Sequence, residues 1–256
     1  MTGTATRMIT IKSPREIEIM ARAGHIVAGT LALLRQAVRP GMTTEDLDRM
    51  AEEYIRSHSG ARPSFKGLYG FPKTLCISIN EEIVHGIPSP KRVLREGNIV
   101  SIDVGVQLEG LHADAATTVP VGEISPEAAR LLEVTQECLR AGIAQARPGN
   151  HVGDIGHAVQ TVAEAAGFGV VRELVGHGIG AQFHEEPQVP NHGRPRRGPR
   201  LVEGMTIAIE PMITAGGYAT RTLPDKWTVV TADGSLAAHF EHTVAITKDG
   251  PRILTV

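Results

Sequence analysis

The chain is written twice. Ser13-Pro14-Arg15-Glu16 has the form of a capping box with proline at the first helical position, which places a helix start there. Ile17, Met20, Gly24, Val27, Leu31 and Leu34 follow at spacings of three and four, an apolar stripe that stops at Arg39-Pro40-Gly41. A second helix is predicted from Thr43-Thr44, carrying Leu47, Met50, Ala51, Tyr54 and Ile55. About 108 residues later the pattern returns. Ser125-Pro126-Glu127 opens a helix with Leu131, Leu132, Cys138 and Leu139, Arg147-Pro148-Gly149 closes it, and another helix bears Ile155, Val159, Val162 and Ala166. Glu96-Gly97 introduces a strand ending at Asp103 and Glu203-Gly204 one ending at Glu210, both at an offset of 107. The repeat predicts two pseudo-symmetric halves, about 13–124 and 125–256, in one α+β domain. They share a curved, mainly antiparallel sheet with helices on the outer face. Residues 1–12 read as a flexible N-terminal segment.

Each half carries a matching pair of acids where buried strands are expected. Asp103 ends the run Ile99-Val100-Ser101-Ile102, and Glu210 ends Ile207-Ala208-Ile209. Asp114 precedes Thr117-Thr118-Val119, and Glu241 precedes Thr243-Val244-Ala245-Ile246. Desolvating a lone carboxylate costs several kcal/mol, and a cluster adds mutual repulsion. Divalent cations remove both penalties. Four carboxylates balance two such ions, whereas one ion leaves about two charges to be absorbed by raised pKa values. With His177 as a single imidazole, the donor set suits Co, Mn, Fe, Zn or Ni rather than a thiolate site. Two ions about 3.5–4 Å apart would activate water and polarise a carbonyl, which is the chemistry of a dinuclear hydrolase.

Composition narrows the setting. The net charge of −2 gives no global attraction to nucleic acid or to an acidic membrane. Two cysteines are too few for a disulfide framework, which favours a reducing, cytoplasmic compartment. The stretch Met1–Ile11 lacks the apolar core of a signal peptide, and no run of ~18 consecutive apolar residues is present to span a bilayer. No apolar stripe is left over once the core is assigned, so a monomer is expected.

The motifs carry a more specific resemblance. They are Ile83-Val84-His85-Gly86-Ile87-Pro88, Ile102-Asp103-Val104, His112-Ala113-Asp114 and Gly176-His177-Gly178-Ile179-Gly180. They continue with Phe183-His184-Glu185-Glu186-Pro187, Ile209-Glu210-Pro211-Met212 and Phe240-Glu241-His242-Thr243. In order, residue type and spacing this set resembles the type I methionine aminopeptidases over nearly the whole chain. The resemblance implies the pita-bread fold and removal of N-terminal methionine from nascent polypeptides, with a small second residue preferred. It implies that Asp103 chelates one ion, that Asp114 and Glu241 bridge two, and that His177 and Glu210 complete the other shell. His85 and His184 would line the substrate cleft, with Glu210 as the proton shuttle. Phe71, Cys76, Phe183 and Trp227 would form the methionine pocket, while Leu68 stands where many bacterial relatives carry tyrosine.

Competing readings are weaker. His184-Glu185-Glu186-Pro187 suggests a zincin, but position 188 is Gln and Pro187 disfavours the required helix. Gly176-x-Gly178-x-Gly180 suggests a nucleotide loop, but no helix start or P-loop lysine follows; glycines there instead permit close backbone approach beside a ligand. An X-Pro peptidase on a related metal cradle generally carries an additional N-terminal domain, and only about a dozen residues precede the first helix here. The absence of a long insertion in the second half favours type I over type II. A non-catalytic peptide-binding protein on the same fold would be expected to lack ligands, and all five positions are filled. The run Arg194-Pro195-Arg196-Arg197-Gly198-Pro199-Arg200 reads as a solvated loop, with contact to ribosomal RNA as its sharper alternative.

Overall fold

A computed structural model describes residues 8–256, and the first part of the expected flexible segment, residues 1–7, lies outside the described residues. Four helices form where the repeat places them: α1 (Pro14–Ala37), α2 (Thr44–Ser57), α3 (Pro126–Gln145) and α4 (Val152–Ala165). Their starts are chemically specified. Ser13 Oγ accepts the Glu16 N–H while the Glu16 carboxylate accepts the Ser13 N–H at 2.7 Å, and Thr43 and Asp46 repeat the exchange for α2. Ser125 Oγ accepts the Ala128 N–H at 3.1 Å to start α3. For α4 the Asp154 carboxylate accepts the His151 N–H at 2.7 Å.

The helices bury the predicted stripes. Ile17, Met20, Gly24, Val27, Leu31 and Leu34 of α1 are all buried, and α1 packs on the hairpin formed by strands Ile99–Leu108 and Leu111–Pro120. By length and mean composition α1 could cross a membrane, but its apolar face is already committed to this sheet, as in the core helix of a globular protein. Two core clusters largely follow the two halves, and two smaller ones draw on both. One cluster joins α1 and α2 to the hairpin through residues such as Leu31, Leu47, Ile102 and Val104. Another joins α3 and α4 to the later strands through Leu131, Ile155, Ile207 and Val244.

All strand pairings among the described residues are antiparallel. The single shared sheet expected from the sequence is, by hydrogen bonding, four sheets of four, three, three and five strands. The halves are sewn together by side chains between them. Thr243 Oγ1 donates to the Asp114 carbonyl at 2.8 Å and accepts the Asp114 N–H at 2.9 Å. Thr118 Oγ1 does the same for His239, donating to its carbonyl at 2.8 Å and accepting its N–H at 2.9 Å. The Glu241 N–H donates to the Ala116 carbonyl at 2.9 Å. Two of the residues in these bonds, Asp114 and Glu241, are acids of the expected metal site.

The rest of the expected flexible segment is anchored at its end. The Lys12 N–H donates to the Gly204 carbonyl at 2.8 Å, and the buried Lys12 ammonium pairs with Glu185, which also accepts the Thr10 hydroxyl. A buried ammonium without its carboxylate would carry a large desolvation cost, so this pair ties the start of the chain to the second half.

Thr243→Val keeps the shape of the side chain and leaves the buried Asp114 N–H without an acceptor. The expected cost is about 1–3 kcal/mol of unfolding free energy, measured by urea denaturation, and an unchanged midpoint would show that this stitch is not needed to join the halves.

Candidate metal centre

Asp103 and Asp114 sit in the middle of the long hairpin rather than at strand ends, which corrects the expectation from their flanking sequence. Register explains how two acids fit there. Asp103 lies opposite Ala116 and Asp114 opposite Gly105, so the two carboxylates are diagonal neighbours on one face with only small residues across from them. A Cβ on Gly105 would lie 2.8 Å from the Phe183 ring, so glycine also makes room for that ring. In the second half the ladder between strands Thr206–Ile209 and His242–Thr247 ends at the pair Ile209–His242. Glu210 and Glu241 therefore leave paired strands side by side at that end, as the sequence had indicated for both.

His177 stands in the strand Gly176–Gly178, next to the Thr206–Ile209 strand. A Cβ on Gly178 would lie 2.1 Å from the Glu186 carbonyl oxygen. Gly176 and Gly178 thus serve the close approach of neighbouring backbone, and Gly180 makes room for the Lys12 and Glu185 side chains. The zincin-like segment is the strand Glu185–Val189, as Pro187 required.

These elements converge on one cavity of about 310 Å³, lined by Asp103, Asp114, His177, Glu210 and Glu241 together with His85 and His184. Single ligand atoms of Asp114, His177 and Glu241 lie within 4.8 Å of one another. His177 Nε2 is 3.6 Å from Glu210 Oε1. Asp103 Oδ1, Asp114 Oδ1 and Glu241 Oε1 are buried with no hydrogen-bond partner among the described residues. Buried carboxylate oxygens left this way are costly, and an oxygen-seeking cation satisfies them.

The electrostatics point the same way. Burial pushes the Asp103 carboxyl up to about 7. Burial first, and then repulsion from one another, raise Asp114, Glu210 and Glu241 well above the usual carboxylate range. Burial lowers His177 to about 3 and His85 to about 4, so both imidazoles are neutral at pH 7 and keep a lone pair for a ligand or a proton. The donor set fits divalent cations, and without them the cluster holds its protons.

The expected substrate pocket lies in the same cavity. Phe71 meets Trp227 edge to face at 5.1 Å between ring centres, and Phe183 meets Phe65 the same way at 5.3 Å. Cys76 is buried in register with Asp103, and burial holds its thiol well above the usual range, so it is neutral. Leu68 lines the cavity as well. The structure adds Phe65, Tyr69 and His239, which the sequence reading had not singled out. Tyr69 stacks on His184 with ring centres 5.7 Å apart, and its hydroxyl lies 3.3 Å from His184 Nδ1. Proximity in sequence to Phe71 and Glu241 was the only available signal for Tyr69 and His239.

Comparison with known proteins is consistent with this geometry. The family model of metallopeptidase family M24 matches residues 18–248. A methionine aminopeptidase of Clostridium acetobutylicum is 56% identical over 249 residues, covering 97% of this chain and 99% of its own. Methionine aminopeptidase 1 of Bacillus subtilis is 53% identical over 248 residues, covering 97% and 99%. The crystal structure of a methionine aminopeptidase from Thermotoga maritima superimposes with a TM-score of 0.95 at 46% identity, covering 97% of this chain and 99% of that one. A Xaa-Pro dipeptidase from Bacillus anthracis superimposes with a TM-score of 0.74 at 19% identity, covering 96% and 61%, and shares the fold alone.

The raised acids fix a pH dependence. Unfolded carboxylates ionise near pH 4, whereas folded Asp103 keeps its proton to about 7. Between those values the folded state binds more protons, so metal-free protein loses stability from this group as pH rises. Urea melts in chelator at pH 5 and pH 7.5 should show that loss, Asp103→Asn should make it smaller without abolishing it, because Asp114, Glu210 and Glu241 act in the same direction, and Mn(II) should reverse it in the wild type. A slope identical in Asp103→Asn would contradict the assignment.

Proposed function

We propose a chemical role for each residue of the site from one premise: this chain belongs to metallopeptidase family M24 and hydrolytically removes the N-terminal methionine of proteins and peptides. The observation that carries the roles is a set of orphaned buried carboxylate oxygens beside an aromatic pocket in one cavity. Asp103, Asp114, His177, Glu210 and Glu241 would hold two divalent ions. Such ions supply a water activated at neutral pH and a Lewis acid for the scissile carbonyl.

The protein's own groups would do the rest. Glu210 keeps 13% of its side-chain surface exposed, and we assign it the transfer of a proton from water to the leaving nitrogen. His184 has Nδ1 beside the Tyr69 hydroxyl, which leaves Nε2 to hydrogen-bond the substrate carbonyl oxygen as charge develops there. His85, neutral by burial, would orient the scissile amide nitrogen. Phe71, Phe183, Trp227 and Cys76 would receive the methionine thioether, which is flexible and polarizable enough to suit rings and a neutral thiol. One missing methylene costs only about 1–3 kcal/mol in such a pocket, so shorter side chains would be discriminated moderately. A small second residue would fit best beside Tyr69 and His184.

Residues 13–256 would act as one catalytic unit, because ligands come from both halves. The cytoplasm is the proposed compartment, in keeping with two buried free cysteines. Nascent chain ends are the proposed substrates and a monomer the proposed state. The arginines of Arg194–Arg200 are exposed, while the loop backbone is held at α4 by the Arg196 N–H donating to Asp154 at 2.8 Å. Arg196→Glu with Arg197→Glu should therefore leave peptide hydrolysis unchanged. Unaltered ribosome co-sedimentation of that variant at low salt would remove the proposed ribosome contact.

Mass spectrometry of Met-Ala-Ser, acetylated Met-Ala-Ser, Leu-Ala-Ser and Leu-Pro-Ser, with and without metal, tests the reading. Metal-dependent release of methionine from the first alone is expected. Cleavage of Leu-Pro-Ser would move the chain to X-Pro chemistry, and no cleavage with any metal would leave a peptide-binding protein. His184→Ala should lower kcat by about 10²–10³ with little change in KM. An equal rise in KM would instead make His184 a ground-state binding group.

A further inference from the structure

His239 lines the cavity, is 1% exposed, and has no part in the steps assigned above. Neither ring nitrogen has a hydrogen-bond partner among the described residues. By contrast His112, a buried histidine packed edge to face on Phe183, is satisfied on both nitrogens, by Ser64 at 2.8 Å and Gln107 at 3.1 Å. Leaving a buried imidazole N–H unpaired costs about 1–3 kcal/mol, so such a group calls for a partner. The backbone of His239 cannot drift to find one, because Thr118 holds its N–H and its carbonyl.

The nearest acceptors are two of the proposed metal ligands. His239 Nε2 lies 3.7 Å from Glu210 Oε2 and 3.9 Å from Glu241 Oε2, a few tenths of an ångström beyond hydrogen-bond range. Those two acids emerge side by side just beyond the end of a ladder, and the bonds of the Glu241 N–H to the Ala116 carbonyl and of Asn191 to the Glu210 carbonyl fix the main chain rather than the carboxylate rotamers. One N–H placed between them can set the orientation of both.

We propose that His239 is a positioning residue whose Nε2–H holds Glu210 and Glu241 in the orientation that shares a divalent cation. This deepens the metal-centre reading above and rests on it. An outer hydrogen bond of this kind fixes a carboxylate ligand's rotamer and favours its ionised form, and losing it typically weakens metal affinity by about 10–100-fold.

The test is calorimetric titration of metal-free full-length protein with Mn(II), using wild type, His239→Leu and His239→Gln. Wild type should bind two ions. His239→Leu should bind one of them about 10–100-fold more weakly, with no fall in the metal-free melting temperature, and His239→Gln, which retains an N–H donor, should stay within about threefold of wild type. The electron paramagnetic resonance signal of coupled Mn(II) ions should weaken at equal loading in His239→Leu only. Wild-type affinity in His239→Leu would overturn the proposal. An equal loss in His239→Gln would overturn it too, by making the imidazole itself a ligand. Wild type that binds no Mn(II) would remove the metal-centre reading and this inference together. Should His239→Leu lose the native circular dichroism spectrum, His239→Asn replaces it, since its shorter amide lacks the reach, with the same expectation.

Discussion

Four carboxylates buried within one cavity cannot all be charged in the absence of cations. Desolvation and mutual repulsion both oppose it, and the raised ionisation of Asp103, Asp114, Glu210 and Glu241 is the direct consequence. The surrounding architecture is arranged to bear this cost. Small residues face the acids across the hairpin, and side-chain hydrogen bonds from Thr243 and Thr118 hold the two halves together where repulsion would push them apart. Stability of the metal-free protein is thus given up at the site where function requires charge.

The same arrangement explains why two halves are needed. One hairpin supplies Asp103 and Asp114, and the matching pair of strands in the second half supplies Glu210 and Glu241. Neither pair alone neutralises two divalent ions. The aromatic pocket is shared as well, since Phe65 and Phe71 come from the first half and Phe183 and Trp227 from the second, in one continuous cluster. With the roles proposed for these residues, substrate recognition and charge neutralisation would both depend on correct docking of the repeats. Lys12, reaching from the start of the chain to Glu185, adds a further tie across that junction.

Much of this was legible in the sequence because the signals were local or repeated. Ser13, Thr43 and Ser125 marked helix starts, the apolar stripes marked buried faces, and the offset of 107 between Asp103 and Glu210 marked equivalent strands. Strand context misled for Asp103 and Asp114, because an acid inside a long buried hairpin contradicts the pattern that normally identifies strand ends. The partition into four sheets depends on register and on threonine side-chain bonds, which no periodicity encodes. Lys12 looked like part of a loose terminus because its partner is distant in sequence. His239 and Tyr69 were invisible for a related reason: their significance lies in what stands opposite them in space, Glu210 and Glu241 for one and His184 for the other.

The central claim is that the five side chains from both halves form one dinuclear cation site. Its most direct test is an anomalous-difference map from crystals of the protein grown with Mn(II). The account predicts two adjacent peaks, about 3.5–4 Å apart, enclosed by Asp103, Asp114, His177, Glu210 and Glu241. No peak in the cavity at saturating Mn(II), or peaks outside this set of residues, would contradict it.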